Sequence, residues 1–233
     1  MGLFYESDKT FADIMNEKKN FVFIGEAGSG KSEIILNVAA LLAEKTGKQV
    51  DLFDLDQTKP LYRSRDMEEA FVKKGVNIHY QEQFQDAPTM VGGVMPSLQG
   101  DGYTLIDIGG GSQAPKFAGM YWNILSKDDA VPVYVVNSYR PWTKSTEAID
   151  GTMSHILNAI RLDHIYILGN PNLGYSTTVD EFIQGLDKMD ELLKDYTVVN
   201  SACVRRDIYE EARKRTDKFL LPIDLYLTYE WVD

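Results

Sequence analysis

The chain has 233 residues, 44% of them apolar, which is enough to bury the core of one large domain. Its formal net charge of −11 argues against broad binding of nucleic acid or anionic lipid, because both require clustered Lys and Arg. The apolar runs are far shorter than the roughly 20 residues of a membrane span, and the single cysteine, Cys203, cannot form an internal disulfide. We therefore expect one cytoplasmic domain, residues 1–233, without a membrane span.

The first predicted elements are a short helix within residues 1–19 and a strand at residues 20–24. The motif G-x-x-x-x-G-K-S follows this strand directly and precedes a helical pattern that stops at Gly47. Its residues are Gly25, Glu26, Ala27, Gly28, Ser29, Gly30, Lys31 and Ser32. The glycines allow successive backbone N–H groups to point at one centre, and the N-terminus of the next helix adds partial positive charge. Residues 25–32 therefore predict a phosphate-binding loop, the P-loop.

The motif assigns chemical roles to the last residues of the P-loop. Lys31 would reach the β- and γ-phosphates of a nucleoside triphosphate, and the Ser32 hydroxyl would bind Mg²⁺. The other residues of the loop and the following Glu33 are expected to contact the nucleotide. The expected cofactors are therefore ATP or GTP, together with Mg²⁺.

A second strand is predicted at residues 50–55 and delivers Asp54 and Asp56 to its carboxyl end. Because side chains alternate along a strand, both carboxylates point the same way. Beside a magnesium-phosphate site, such a pair would hold a metal-bound water or orient an attacking water, and Asp56 is also expected to be a magnesium ligand. The alternative is that these acids only end the strand and cap the turn after it.

A helix within residues 62–74, closed by Gly75, and a strand at residues 76–80 come next. Residues 81–102 have weak periodicity and are predicted to form a long loop over the site. The strand at residues 103–108 then brings Asp107 to the sheet edge, ahead of Gly110. In P-loop proteins such an Asp supports Mg²⁺, and a following glycine donates its N–H to the γ-phosphate.

The remaining pattern alternates helices and strands. Helices are predicted at residues 114–126, 143–161, about 178–193 and 207–215, and strands at residues 131–136, 165–168 and 196–199. Loop residues 137–142 include Arg140, which would either meet transition-state charge or remain a surface residue. This alternation predicts a mostly parallel sheet with helices on both faces, a three-layer α/β fold.

Three motifs, in this order, resemble the MinD/ParA/CobQ group of P-loop ATPases: the P-loop, Asp54-Leu55-Asp56-Gln57, and Asp107-Ile108-Gly109-Gly110. The resemblance implies that Ser32 and Asp107 hold magnesium directly or through water, and that Asp56 positions the attacking water. It also implies that Asn170, after a late strand, reads the base, although Asn170-Pro171-Asn172 is equally typical of a turn.

One residue departs from that group. Members that form a nucleotide sandwich dimer carry an extra lysine early in the P-loop, where this chain has Glu26, and an acid cannot stabilise charge on a partner's phosphate. The chain is therefore also compared with relatives that have an ordinary P-loop without this lysine, such as the metallochaperone GTPases. The loop Asn137-Ser138-Tyr139-Arg140 lacks the lysine and the acid of the Asn-Lys-x-Asp guanine signature, which favours ATP.

The leading hypothesis is a magnesium-dependent ATPase of the MinD/ParA type that switches loops at residues 56–66 and 107–114 for a protein partner or for self-association. A second hypothesis is a small-molecule kinase or ligase, in which residues 81–102 close over a phosphate acceptor. A third is a metallochaperone-type GTPase, and a fourth is a scaffold that only binds nucleotide.

Overall fold

The computed structural model describes residues 4–55, 67–80, 92–109, 116 and 118–227. Within these residues the sheet has nine strands: β1 (Phe4–Tyr5), β2 (Asn20–Ile24), β3 (Val50–Asp54), β4 (Val76–His79), β5 (Tyr103–Asp107), β6 (Ala130–Val136), β7 (His164–Gly169), β8 (Ser201–Arg205) and β9 (Phe219–Ile223). The helices are α1 (Phe11–Glu17), α2 (Lys31–Thr46), α3 (Glu68–Val72), α4 (Val94–Gln99), α5 (Trp122–Leu125), α6 (Thr146–Ile160), α7 (Val179–Leu193) and α8 (Tyr209–Ala212). None of these helices has the length and apolar character needed to cross a membrane.

Every described strand pair is parallel, and the strands lie in the order β4-β3-β5-β2-β6-β7-β8-β9. The short β1 pairs in parallel with the first residues of β7, with Phe4 opposite His164. The carboxyl ends of all these strands therefore face one edge of the sheet. Because β2 lies between β5 and β6, the segment that leaves β2 starts at the middle of this edge, where parallel sheets bind ligands.

Helices cover both faces of the sheet, as the predicted three-layer α/β fold requires. One apolar layer joins α1 and α2 to the sheet through buried residues such as Phe11, Ile34 and Leu52. The other joins α6 and α7 to the opposite face through buried residues such as Met153 and Phe182. All five residues of β2 and all seven of β6 are buried, as expected for parallel strands covered on both sides.

The predicted strand at residues 196–199 is wrong, because the chain forms no strand there. These residues have high β propensity, but only Val199 is buried, whereas Tyr196 is 42% exposed and Val198 is 64% exposed. The sheet continues instead with β8, which begins with small residues, and with the edge strand β9. The sequence pattern concealed β9 because it contains Pro222, which a strand tolerates at an edge of the sheet.

The predicted long loop at residues 81–102 is also partly wrong. Residues 94–99 form α4, which starts after Gly93 and buries Val94 and Leu98 one helical turn apart. Residues 81–91 lie outside the described residues, as do residues 56–66, which contain the first part of the predicted helix at 62–74.

Candidate phosphate-binding site

The P-loop connects the central strand β2 to α2, and its glycines adopt backbone conformations that other residues avoid. Gly25 has a φ of 144° and Gly30 a φ of 92°. A Cβ atom at position 25 would lie 2.7 Å from the carbonyl oxygen of Val135, and one at position 30 would lie 2.2 Å from Nδ2 of Asn170. Position 25 therefore requires glycine for backbone conformation and for space, whereas position 30 requires it for backbone conformation, since the Asn170 side chain can shift.

Lys31 is the first residue of α2 and is only 3% exposed. Its Nζ donates hydrogen bonds to the carbonyl oxygens of Gly25 at 2.8 Å and Glu26 at 3.1 Å. The ammonium group therefore lies against the P-loop, within the element that the sequence predicts to bind phosphate.

The structure brings Ser32 and Asp107 together. The Ser32 hydroxyl donates a 2.5 Å hydrogen bond to Oδ2 of Asp107, which ends β5 and is fully buried. Asp54 ends the neighbouring strand β3 in register with Asp107 and is 6% exposed. One hydroxyl and two carboxylates thus lie at adjacent strand and helix ends, and such hard oxygen donors are the ligands that Mg²⁺ prefers.

These residues fit a magnesium ion that also binds phosphate oxygens. No group of three or more His, Cys, Asp or Glu side chains in the described ranges is placed to hold a metal ion by itself. Magnesium commonly takes only one or two protein carboxylates and completes its coordination with substrate phosphates and water. In addition, the Ser29 hydroxyl is buried without a hydrogen-bond partner among the described residues, as expected of a polar atom that a ligand completes.

Two predicted site residues, Asp56 and Gly110, lie outside the described residues, so their roles stay predictions. Asn170 is described and is 3% exposed. Its Nδ2 donates to the carbonyl oxygen of Ser29 at 2.8 Å, and its backbone N–H donates to the carbonyl of Val136 at 2.8 Å. The side chain therefore contacts the P-loop backbone, and its role in base recognition also stays a prediction.

Sequence reasoning missed two side chains that contact the P-loop, Trp142 and Thr152, and did not foresee the contact of Arg140. The Trp142 indole N–H donates to the carbonyl of Ala27 at 3.0 Å, and the Arg140 Nε–H donates to that of Gly28 at 2.9 Å. The Thr152 hydroxyl donates to Oε1 of Glu26 at 2.7 Å. The Glu26 carboxylate is therefore bound within this chain, to α6, where the resembling group carries its extra lysine.

Glu33 points toward the C-terminal segment, defined here as residues 224–227. Its carboxylate accepts the backbone N–H of Tyr226 at 2.5 Å and that of Leu227 at 3.1 Å. One turn further along α2, Asn37 exchanges two 2.8 Å hydrogen bonds with the backbone of Asp224. Burial raises the pKa of Glu33 to about 7, although the two backbone N–H groups oppose this shift.

The raised pKa of Glu33 predicts a pH-dependent stability of the ligand-free protein. Below the unfolded pKa of 4.5 the carboxyl is neutral in both states, and between 4.5 and about 7 only the unfolded chain loses its proton. Stability therefore falls as pH rises through this window, by about 3 kcal/mol in full. We expect the free energy of unfolding of Glu33→Gln, relative to that of wild type, to increase from pH 5 to pH 8. Urea unfolding at the two pH values measures this difference.

The matched control for this prediction is Glu44→Gln, at an exposed position on the same helix. Its difference from wild type should stay within about 0.5 kcal/mol at both pH values. A Glu33→Gln difference that is equal at pH 5 and pH 8 would contradict the prediction.

A parallel α/β sheet with G-x-x-x-x-G-K-S between its central strand and the next helix defines the fold class of the P-loop NTPases, and this chain has that fold. The sequence matches no protein-family model and no curated protein. Among solved structures, it is similar to chloroplast FtsY from Physcomitrella patens, with a TM-score of 0.51 and 13% identity over 79% of this chain. The match spans 58% of that FtsY chain.

Two kinase domains are also similar at lower scores. The kinase domain of the Escherichia coli tyrosine kinase ETK matches with a TM-score of 0.47 and 14% identity, over 72% of this chain and 73% of that one. The BceF tyrosine kinase domain matches with a TM-score of 0.45 and 20% identity, over 67% of this chain and 72% of that domain's chain. At these identities the similarities concern the fold, and the chemistry has to be argued from the residues of this chain.

Proposed function

We propose that this chain is a magnesium-dependent nucleoside triphosphatase, with ATP favoured over GTP, that acts as a nucleotide-dependent switch. The observation that carries the proposal is the hydrogen bond between Ser32 and Asp107 beside the buried Lys31 of the P-loop. A hydroxyl, a carboxylate and an ammonium at the N-terminus of α2 are the set of groups that P-loop chemistry uses for a magnesium-bound triphosphate.

The residues of the P-loop supply binding and charge neutralisation. The backbone N–H groups of Gly28 and of residues 30–32, at the N-terminus of α2, would hold the phosphate oxygens. The Lys31 ammonium, already held at the loop by two carbonyl oxygens, would donate charge-assisted hydrogen bonds to the anionic phosphate oxygens. Magnesium, held by Ser32 with Asp107 and Asp54, would neutralise charge on the transferred phosphoryl group.

The nucleophile is water, and the chain has to orient it. Phosphoryl transfer needs little covalent participation by the protein, so positioning accounts for most of the rate. We assign this role to Asp56, two residues beyond Asp54 at the carboxyl end of β3. Loops 56–66 and 107–114 would then differ between the triphosphate and diphosphate states, and a protein partner or a second copy would recognise the difference.

The test is hydrolysis of ATP and of GTP by the purified chain with Mg²⁺, with molecular mass recorded in the presence and absence of a non-hydrolysable ATP analogue. We expect phosphate release from ATP to exceed that from GTP, and the analogue to change the mass or the mobility of the complex with a partner. Binding without any phosphate release would contradict the hydrolase and favour the scaffold, whereas transfer to an added small-molecule acceptor would favour the kinase.

A further inference from the structure

Each carbonyl oxygen of residues 25–30, the first six residues of the P-loop, accepts a hydrogen bond. Lys31 holds the first two, those of Gly25 and Glu26, and the helical N–H of Ile34 holds that of Gly30. The three carbonyls between them are held by side chains from distant parts of the chain. These contacts are Trp142 to Ala27, Arg140 to Gly28 and Asn170 to Ser29.

Fixing a carbonyl also fixes the next N–H, because the peptide group is planar and its C=O and N–H point in opposite directions. The contact of Trp142 with the preceding carbonyl therefore directs the N–H of Gly28 to the other side of the loop. The contact of Arg140 with the Gly28 carbonyl likewise fixes the N–H of Ser29, which closes a turn onto the Glu26 carbonyl at 3.2 Å. The first contact thus sets the direction of an N–H of the kind that a P-loop offers to phosphate, and the second stabilises the turn beside it.

The segment that carries both donors is itself well held. This segment is the β6 loop, defined as residues 137–143. In it, the carbonyl of Asn137 accepts hydrogen bonds from the backbone N–H of Arg140 at 3.1 Å and from the hydroxyl of Thr143 at 2.8 Å. Asn137 also donates from Nδ2 to the carbonyl of Asn172 at 2.8 Å, on the loop that follows β7. The β6 loop thus has a fixed backbone from which Arg140 and Trp142 reach the P-loop.

We propose that Arg140 and Trp142 are positioning residues, which hold the P-loop in its anion-binding conformation before a phosphate arrives. The inference rests on the proposed function, since it assumes that the P-loop binds phosphate. Without the two donors, the segment at residues 27–29, with Gly28 at its centre, would also populate conformations with other N–H directions. Affinity would then fall in proportion to the fraction of competent loops.

Both contacts are peripheral to the core, so a role in folding alone predicts a different result. Trp142 is 48% exposed, and neither side chain belongs to the two apolar layers. Removing either donor should therefore leave the unfolding temperature of the ligand-free protein almost unchanged while it weakens anion binding.

The experiment measures the dissociation constant of inorganic tripolyphosphate with Mg²⁺, a probe that needs the P-loop but no base or ribose contact, and the unfolding temperature. The test variants are Arg140→Met and Trp142→Phe, and Arg140→Lys serves as the rescue because its ammonium also donates to a carbonyl. The matched controls are Arg213→Met and Trp122→Phe, at surface positions that are 54% and 44% exposed.

We expect each test variant to bind tripolyphosphate roughly tenfold more weakly, the scale of one lost hydrogen bond from a charged or indole donor. Arg140→Lys should recover part of the affinity, and both controls should bind like wild type. Because the two donors hold adjacent peptides, the double variant should lose less than the product of the two single effects.

Unchanged affinity in both test variants, with a wild type that binds the probe, would overturn the positioning role and leave the proposed function intact. A wild type that binds neither tripolyphosphate nor ATP would overturn both. Weaker binding that merely follows a lower unfolding temperature, without rescue by Arg140→Lys, would also overturn the positioning role. If Arg140→Met fails to fold, the affinities of Trp142→Phe and Arg140→Lys for tripolyphosphate test the positioning role instead.

Discussion

Lys31→Ala should reduce nucleoside triphosphate hydrolysis at least about 100-fold, because it removes the one P-loop side chain that carries positive charge to the phosphates. In the structure this ammonium is already held at the loop by the carbonyls of Gly25 and Glu26. The loss should appear in nucleotide affinity as well as in turnover, since the charge interacts with ground-state and transition-state phosphates. Steady-state kinetics and equilibrium binding of Mg-ATP measure the two effects separately.

Lys45→Ala is the control, because Lys45 lies in the last turn of the same helix and is exposed. Since Lys31 is buried, its removal also leaves two carbonyls with fewer donors, so the unfolding temperature has to be measured beside activity. If Lys31→Ala stays folded and hydrolyses ATP at the wild-type rate, the site is assigned wrongly.

The second large effect is expected for Asp107→Asn. An amide oxygen still accepts the hydrogen bond from the Ser32 hydroxyl, so the fold should survive, but the negative charge that supports Mg²⁺ is gone. We expect turnover to fall about 100-fold and the Mg²⁺ concentration for half-maximal turnover to rise. A magnesium titration of ATP hydrolysis by wild type and variant measures both quantities.

Asp101→Asn provides a matched control, since Asp101 is an exposed acid just before the same strand. It should leave the magnesium dependence of turnover unchanged. An Asp107→Asn variant with a wild-type magnesium titration would show that this carboxylate does not support the metal ion, and the proposal would then depend on Asp54 and Asp56.

The central part of the fold was predictable because its physics is local. The runs Phe21-Val22-Phe23-Ile24 and Val131 to Val136 are continuously apolar, which is typical of strands covered on both faces, and both are buried strands in the structure. The P-loop between β2 and α2 is indicated by its glycines and lysine. Parallel register then brings Asp54 and Asp107 side by side, as the strand ends predicted.

The parts that sequence reasoning missed depend on tertiary contacts. β8 and β9 lie at the side of the sheet, where a small-residue start and a proline are acceptable, so their composition differs little from that of a loop. The hydrogen bonds from Trp142 and Thr152 to the P-loop span sequence separations of 115 and 126 residues. The periodicity of a sequence does not indicate contacts over such separations. The one indication of the Trp142 contact was that the β6 loop follows the strand next to β2, so that it leaves the same edge of the sheet as the P-loop.

The pairing of β1 with β7 has a consequence for how the chain folds during synthesis. Phe4 lies opposite His164, so β1 leaves the ribosome about 160 residues before its partner strand is synthesised. All the other described ladders are also parallel and join strands through crossovers instead of tight turns. Such non-local closure slows folding, so the nascent chain exposes apolar strands for longer than a helical protein of equal length.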